Sequence, residues 1–141
     1  MKVRYYIGID PGTNTGLAIW DSELKKFNSI QTLKIHKAME VIQTHAKYGN
    51  CHIMVEDARQ IKLPQRFQKN INKNQSQGVG SVKRDCSIWE DFLKDHGFAF
   101  TMSWNSKGIR KLDSDRFKVM TGYTDRTSSH GRDAAMIVFG R

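Results

Sequence analysis

Three stretches near the start of the chain alternate apolar and polar residues in the manner of β-strands. They cover residues 3–9, 15–20 and 25–33, and such alternation places successive side chains on opposite faces of a sheet. The third stretch alternates the least regularly of the three. Because the connections between them are short, the pattern predicts an antiparallel meander.

Helical spacing replaces this alternation in the next part of the chain. Apolar residues recur three and four apart over residues 34–47, where Gly49 is placed to end the helix. A short apolar strand follows at residues 51–55. From Gly78 an apolar stripe steps by three and four residues as far as Leu93, which predicts a second helix. We expect this stripe to pack on the sheet, although a stripe of this width also suits a dimer interface.

The last third of the chain predicts one more strand and two more helices. Residues 98–102 are apolar enough for a strand. Asp113 is placed to begin a helix that stops at Gly122, with its charge near the positive end of the helix dipole. Ser128 or Ser129 can cap the final helix. Strands and helices in this order predict an α/β fold.

Length and composition limit the class of protein. A chain of 141 residues suits a single domain with a real core, which we place at residues 1–141. No apolar run is long enough to cross a membrane, and the N-terminus lacks the hydrophobic region of a signal peptide. Two cysteines, Cys51 and Cys86, make neither a disulfide framework nor a paired metal motif. We therefore expect free thiols in a reducing cytoplasm.

The excess of positive charge indicates a polyanionic partner. The net charge is +9, and no acid occurs between residues 58 and 84. Amide side chains separate the cations there, and we expect an arm or loop over residues 58–77. A solvated loop is the plainer interpretation, but the charge of the whole chain favours nucleic acid. The predicted nucleic-acid contacts in this segment are Arg59, Lys62, Arg66, Lys69, Lys73, Lys83 and Arg84.

Three carboxylates fall at positions that suit chemistry. Asp10 ends the first strand in a Pro-Gly turn, Glu56 ends the fourth strand, and Asp133 lies early in the last helix. His130 shares a helix face with Asp133, since the two are three residues apart. Each has a plainer interpretation as a turn, strand-end or helix-start residue. Together they form a mostly oxygen ligand set that suits Mg²⁺ or Mn²⁺, whereas no Cys and His set has the spacing of a zinc site.

A metal site of this kind beside a basic segment predicts phosphodiester chemistry. Two divalent ions about 3.5–4 Å apart can activate water and stabilise the leaving oxygen of a phosphodiester. Lysine and arginine contacts would hold the phosphate backbone, with an affinity that falls steeply as salt rises.

The chain resembles the RuvC-type Holliday-junction resolvases, a family of the ribonuclease-H-like superfamily. The matching motifs occur in the family's order over nearly the whole chain. They are Ile7-Gly8-Ile9-Asp10-Pro11-Gly12 followed by Thr15-Gly16, then Val55-Glu56, then Gln77-Gly78-Val79-Gly80, and finally His130-x-x-Asp133-Ala134.

The resemblance implies a fold, an activity and a set of site residues. The implied fold is a ribonuclease-H-like mixed five-stranded sheet, with its first three strands antiparallel and the others parallel, flanked by helices. The implied activity is symmetric nicking of four-way DNA junctions by a homodimer that uses Mg²⁺ and no nucleotide cofactor. By position, Asp10, Glu56, His130 and Asp133 are the metal ligands and catalytic residues. Many relatives have Asp at the position of His130, and a nitrogen ligand there favours Mn²⁺.

A basic residue near the start of the penultimate helix often holds the phosphate or helps the attacking water in such relatives. The candidates here, which also complete the predicted nucleic-acid contacts, are Lys107, Lys111 and Arg116. The chain departs from the family after Glu56, where relatives can carry an aromatic wedge and this chain has Arg59-Gln60.

Several other functions fit part of the pattern. A related nuclease could act on other branched DNA or on structured RNA, and a DNA-binding module with an inactive site is a further alternative. An actin-like nucleotide-binding domain shares the first loop, but it needs two lobes for which this chain is too short. The short Lys- and Asn-rich composition fits a phage-encoded resolvase, in the cytoplasm of a bacterial cell or a phage-infected host.

Overall fold

The computed structural model describes residues 2–61, 73–104 and 111–141, with the main chain alone over residues 73–76. Within these ranges it contains five strands, four α-helices and a short 3-10 turn at Ala58–Gln60. The strands are β1 (Tyr5–Asp10), β2 (Asn14–Asp21), β3 (Lys26–Lys34), β4 (Cys51–Glu56) and β5 (Phe100–Ser103). The helices are α1 (Ile35–Ala46), α2 (Lys73–Asp95), α3 (Ser114–Thr121) and α4 (Ser129–Val138).

The strands form one mixed sheet in the order β3-β2-β1-β4-β5. β1 pairs with β2 and β2 with β3 in the antiparallel direction, as expected for strands joined by short turns. β4 joins the other side of β1 in the parallel direction, and β5 pairs parallel to β4. The parallel pairs need crossover connections, which contain α1 and α2. The predicted mixed five-stranded sheet is confirmed, with β1 at its centre.

Most predicted boundaries agree with the structure to within two residues, because their end signals are chemical. Asp113 caps α3 by accepting a hydrogen bond from the main-chain N–H of Arg116, and Ser128 caps α4 in the same way. Gly122 follows α3 at φ 72°, a left-handed conformation that glycine adopts at low cost.

The predicted start of the second helix at Gly78 is wrong. Helix α2 begins at Lys73, five residues earlier, because lysine, glutamine and serine form helices well enough to extend it without an apolar stripe. Both ends of the arm or loop expected over residues 58–77 are therefore regular structure, namely a 3-10 turn at residues 58–60 and helix at residues 73–77, and residues 62–72 lie outside the described residues.

The two faces of the sheet carry separate apolar cores. On one face, Ile7 and Ile9 of β1 pack with the α2 residues Trp89 and Leu93 and with residues of α1. On the other face, strand residues of β2, β3 and β4 pack against α3 and α4, with Phe117 at the centre. Successive residues of the strands therefore point into different cores, as the alternation in the sequence predicts.

Helix α4 lies unusually close to the sheet at two glycines. A Cβ atom on Gly8 would overlap the carbonyl oxygen of Ala134, and one on Gly16 would overlap the carbonyl oxygen of His130. Any side chain at either position would push the helix away from β1 and β2. The absence of side chains at these glycines therefore sets the height of α4 above the strand ends.

We expect Gly8→Ala to destabilise the protein by roughly 2 kcal/mol, since overpacking against main chain forces the helix to move. Chemical denaturation measures the effect. Gly80→Ala is the matched control, because a Cβ at this helical position meets nothing within 4 Å and should stabilise α2 by up to about 1 kcal/mol. Equal stabilities for the two variants would show that the close approach of α4 does not limit packing.

Candidate active site

Two of the predicted carboxylates meet at one edge of the sheet. Asp10 is the last residue of β1, and Glu56 is the last residue of its parallel neighbour β4. Parallel neighbours end at the same edge, so the two side chains lie beside each other. They are close enough to share a hydrogen bond between their carboxyl groups.

Helix α4 brings the other two predicted residues to this edge. The His130 ring nitrogen Nδ1 lies 3.2 Å from Oδ2 of Asp10. Asp133, one turn further on, is close enough for its charge to raise the pKa of both Asp10 and Glu56. The His130 side chain is about half exposed, at 49%, whereas that of Asp10 is 13% exposed. The group therefore lies at the surface, with one rigidly held carboxylate at its base.

Burial and mutual repulsion shift the titration of this group. Burial raises the pKa of Asp10 to about 6, and the charge of Asp133 adds to the rise, while the hydrogen bond with Glu56 opposes it. Burial, the hydrogen bond that the Glu56 carboxyl donates to Asp10, and the negative charges of Asp10 and Asp133 raise the pKa of Glu56 to about 8. Near neutral pH the protein therefore keeps a proton between these carboxylates rather than two adjacent negative charges.

The described residues contain no group of three or more His, Cys, Asp or Glu side chains arranged closely enough to hold one metal ion. The site instead consists of pairs: Asp10 with Glu56, Asp10 with His130, and Asp133 with Lys111, whose Nζ lies 3.8 Å from Oδ2 of Asp133. Carboxylates that repel one another take protons or cations as partners. The three carboxylates and one imidazole are chemically suited to Mg²⁺ or Mn²⁺. For these side chains to bind one ion together, the shared proton must leave and Lys111 must move away from Asp133.

The predicted basic contacts divide into three groups. Lys111 contacts the site, and its side chain is 87% exposed. Lys83 and Arg84 are exposed on α2, and Arg116 is exposed on α3 beside Asp113, at 3.7 Å. The third group lies outside the described residues (Lys62, Arg66, Lys69, Lys107) or is described only in its main chain (Lys73).

Arg59 occupies a different environment from the one its position in a basic segment suggests. Its guanidinium is bound by the carboxylates of Asp57 and Glu90, both at 2.8 Å. These ion pairs leave it few donors for a phosphate. The signal in the sequence was Asp57 two residues before Arg59, but Glu90 is 31 residues away, and no local pattern connects the two.

Comparison with known proteins identifies the fold. No protein-family model and no curated protein sequence matches the chain. The chain is similar in structure to T. thermophilus RuvC, solved in complex with a Holliday junction substrate, with a TM-score of 0.60 and 17% sequence identity. The match covers 96% of this chain and 90% of that one. The ribonuclease-H-like fold expected from the sequence is thereby confirmed.

The roles of the site residues and a phage origin stay predictions from the sequence. In the part of the chain that the structure describes, no helix has the length and apolar character needed to cross a membrane.

We expect metal-free Glu56→Gln to gain stability over the wild type as pH rises. The pKa of Glu56 is raised on folding, so its contribution is full below about pH 4.5 and is lost as pH rises through about 8. Glutamine keeps the hydrogen bond to Asp10 without the charge. The gain between pH 5 and pH 8 should be on the order of 1–2 kcal/mol after solvent screening.

Thermal unfolding in EDTA across this pH range measures the difference. Glu40→Gln is the control, because Glu40 is a surface glutamate of α1 that pairs with Lys37. Its profile should run parallel to that of the wild type. A Glu56→Gln profile that is also parallel to the wild type would contradict the proposed repulsion at the site.

Proposed function

We propose that this chain is a single-domain, metal-dependent endonuclease, spanning residues 1–141, that binds four-way DNA junctions and nicks them symmetrically as a homodimer. The observation that carries the proposal is the meeting of Asp10 and Glu56 at neighbouring strand ends beneath the helix that carries His130 and Asp133. The fold is shared with a RuvC structure that contains a Holliday junction.

The four site residues would hold Mg²⁺ or Mn²⁺, with two ions per site. When bound, such ions act as Lewis acids that activate the attacking water and stabilise the leaving oxygen. Asp10 is fixed by its strand and by burial, so it supplies a rigid ligand. Glu56 must lose its proton before it can bind a cation, which makes occupancy of the site dependent on pH. His130 would supply an imidazole nitrogen as the fourth ligand.

Positive charge near the site supports DNA as the substrate. Lys111 beside Asp133 is placed to contact a phosphate that approaches the carboxylates. Lys83 and Arg84 lie in the turn of α2 just before Cys86, whose thiol donates to the carbonyl oxygen of Glu56 at 3.6 Å. Both cations therefore lie near the same edge of the sheet. The predicted contacts outside the described residues stay predictions, and Arg59 is left out of the proposed DNA-binding surface.

Paired nicks on one junction require two active sites, because each subunit reaches one strand. A homodimer is therefore part of the proposal. Its support is the resemblance in sequence to the RuvC-type resolvases and the exposure of Val79 at the start of the apolar stripe on α2, whose later members Trp89 and Leu93 are buried against the sheet.

A broader substrate range is the second candidate function, and one observation favours it. In place of an aromatic wedge after Glu56, Arg59 and Gln60 are held to the protein by hydrogen bonds to Glu90 and to the carbonyl oxygen of Met102. Without a wedge, recognition of other branched DNA or structured RNA would rest on shape and charge. A binding module without activity is the remaining alternative, since the ligand cluster is not closed in the described residues.

We expect Asp10→Asn to reduce cleavage below roughly one-hundredth of wild type, because it removes the most rigid ligand, while junction binding changes little. Cleavage and gel-shift assays with a labelled four-way junction in Mg²⁺ measure both. Asp91→Asn, an exposed acid on α2, is the control and should behave as wild type. Full cleavage by Asp10→Asn would refute the assignment.

Lys111→Met tests the cation nearest the carboxylates. If Lys111 holds the scissile phosphate, single-turnover cleavage should slow by about ten-fold or more, while junction affinity falls by less than about three-fold. Lys118→Met removes an exposed lysine of α3 and serves as the control. A change in affinity with an unaltered cleavage rate would make Lys111 a backbone contact remote from the reacting phosphate.

A further inference from the structure

A fork of hydrogen bonds surrounds Arg59 just beyond the end of β4. Its Nε and Nη2 donate to Oδ1 and Oδ2 of Asp57 at 2.8 and 2.9 Å. Nη2 also donates to Oε2 of Glu90 at 2.8 Å, and Nη1 to Oγ of Ser87 at 3.3 Å. All three guanidinium nitrogens therefore have partners, either on Asp57, the residue directly after β4, or on α2.

The same network fixes the main chain at Glu56. The thiol of Cys86 donates to the carbonyl oxygen of Glu56 at 3.6 Å. The next N–H, that of Asp57, donates to the carbonyl oxygen of Ser103 on β5 at 2.9 Å. Gln60 adds a hydrogen bond to the carbonyl oxygen of Met102 at 3.0 Å. The residue that ends β4 is thus tied to a helix on one side and a strand on the other.

The chemistry of Asp57 explains why an arginine is needed here. Asp57 is only 3% exposed, and a buried carboxylate is costly unless it is paired and hydrogen-bonded. Arginine presents two parallel N–H groups to both carboxylate oxygens, and its remaining nitrogens reach the helix. Lysine would supply the charge as a single point without the fork.

We propose that Arg59 is a positioning residue, which locks the end of β4 to α2 through Asp57 and Glu90 and so holds Glu56 against Asp10 for metal binding. The inference rests on the proposed function, because it concerns the same carboxylates. It replaces the prediction from the sequence that Arg59 contacts DNA phosphate. The described hydrogen bonds of Arg59 go to Asp57, Ser87 and Glu90 and not to the site carboxylates, so its effect passes through the main chain of Glu56.

Arg59→Met tests the inference with three measurements. These are Mn²⁺ binding to the DNA-free protein by calorimetry, the Mn²⁺ dependence of junction cleavage, and junction affinity as a function of salt. We expect the Mn²⁺ concentration for half-saturation to rise about ten-fold or more in the first two, as when a residue that orients a ligand is lost. Junction affinity and its salt dependence should stay within about two-fold of wild type.

Two further variants make the test specific. Glu90→Gln removes one arm of the fork and should shift the Mn²⁺ dependence in the same direction by a smaller factor, and it decides the question if Arg59→Met does not fold. Arg59→Lys should recover part of the loss, because it restores the charge without the fork. Lys37→Met removes a cation from the surface ion pair with Glu40 and should leave all three measurements unchanged.

Each contrary outcome has a distinct meaning. Unchanged Mn²⁺ binding in Arg59→Met, whether or not its melting temperature falls, would overturn the positioning role. Weaker junction binding with a salt slope reduced by about one would make Arg59 a phosphate contact instead. A wild-type protein that neither binds Mn²⁺ nor cleaves would overturn the proposed function itself, and this inference with it.

Discussion

The contact between α4 and the central strands is the constraint on which the rest of the structure depends. Because Gly8 and Gly16 have no side chains, the carbonyl oxygens of Ala134 and His130 lie almost on the sheet. This contact closes the core on that face, around Ala134 and Val138. It also sets where the first turns of α4 lie relative to Asp10. The contact of α4 with Gly8 and Gly16 therefore determines both the packing of this core and the positions of His130 and Asp133 relative to Asp10.

The candidate site concentrates negative charge around Asp10, whose side chain is only 13% exposed. A shared proton reduces the repulsion between Asp10 and Glu56, and Lys111 pairs with the negative charge of Asp133. Residues optimised for stability alone would not place three carboxylates at one edge of a sheet, since groups that perturb one another in this way are typical of functional sites. Immediately beyond Glu56 the carboxylates are paired with a cation, because Asp57 and Glu90 both lie at ion-pair distance from Arg59.

Much of the fold follows from local chemistry, whereas the contacts that build the site do not. Alternation predicts β1 and β2, and a short apolar run predicts β4. Asp113, Ser128 and Gly122 mark helix ends through hydrogen bonds and backbone conformation that depend on single residues. The positions of Asp10 and Glu56 at strand ends are visible in the same way. Other contacts join residues far apart in the chain, so no periodicity in the sequence reveals them. These are the close contact of α4 with Gly8 and Gly16 and the ion pair of Arg59 with Glu90.

The proposed function is that of a metal-dependent nuclease acting on junction DNA. The most direct measurement compares four-way, three-way, flap and linear duplex DNA, labelled on each strand, with and without Mg²⁺. We expect paired nicks at symmetry-related positions of the four-way junction, only when Mg²⁺ is present, and little cleavage of linear duplex. Cleavage of linear duplex at the same rate, or junction cleavage that persists in EDTA, would refute the proposed function.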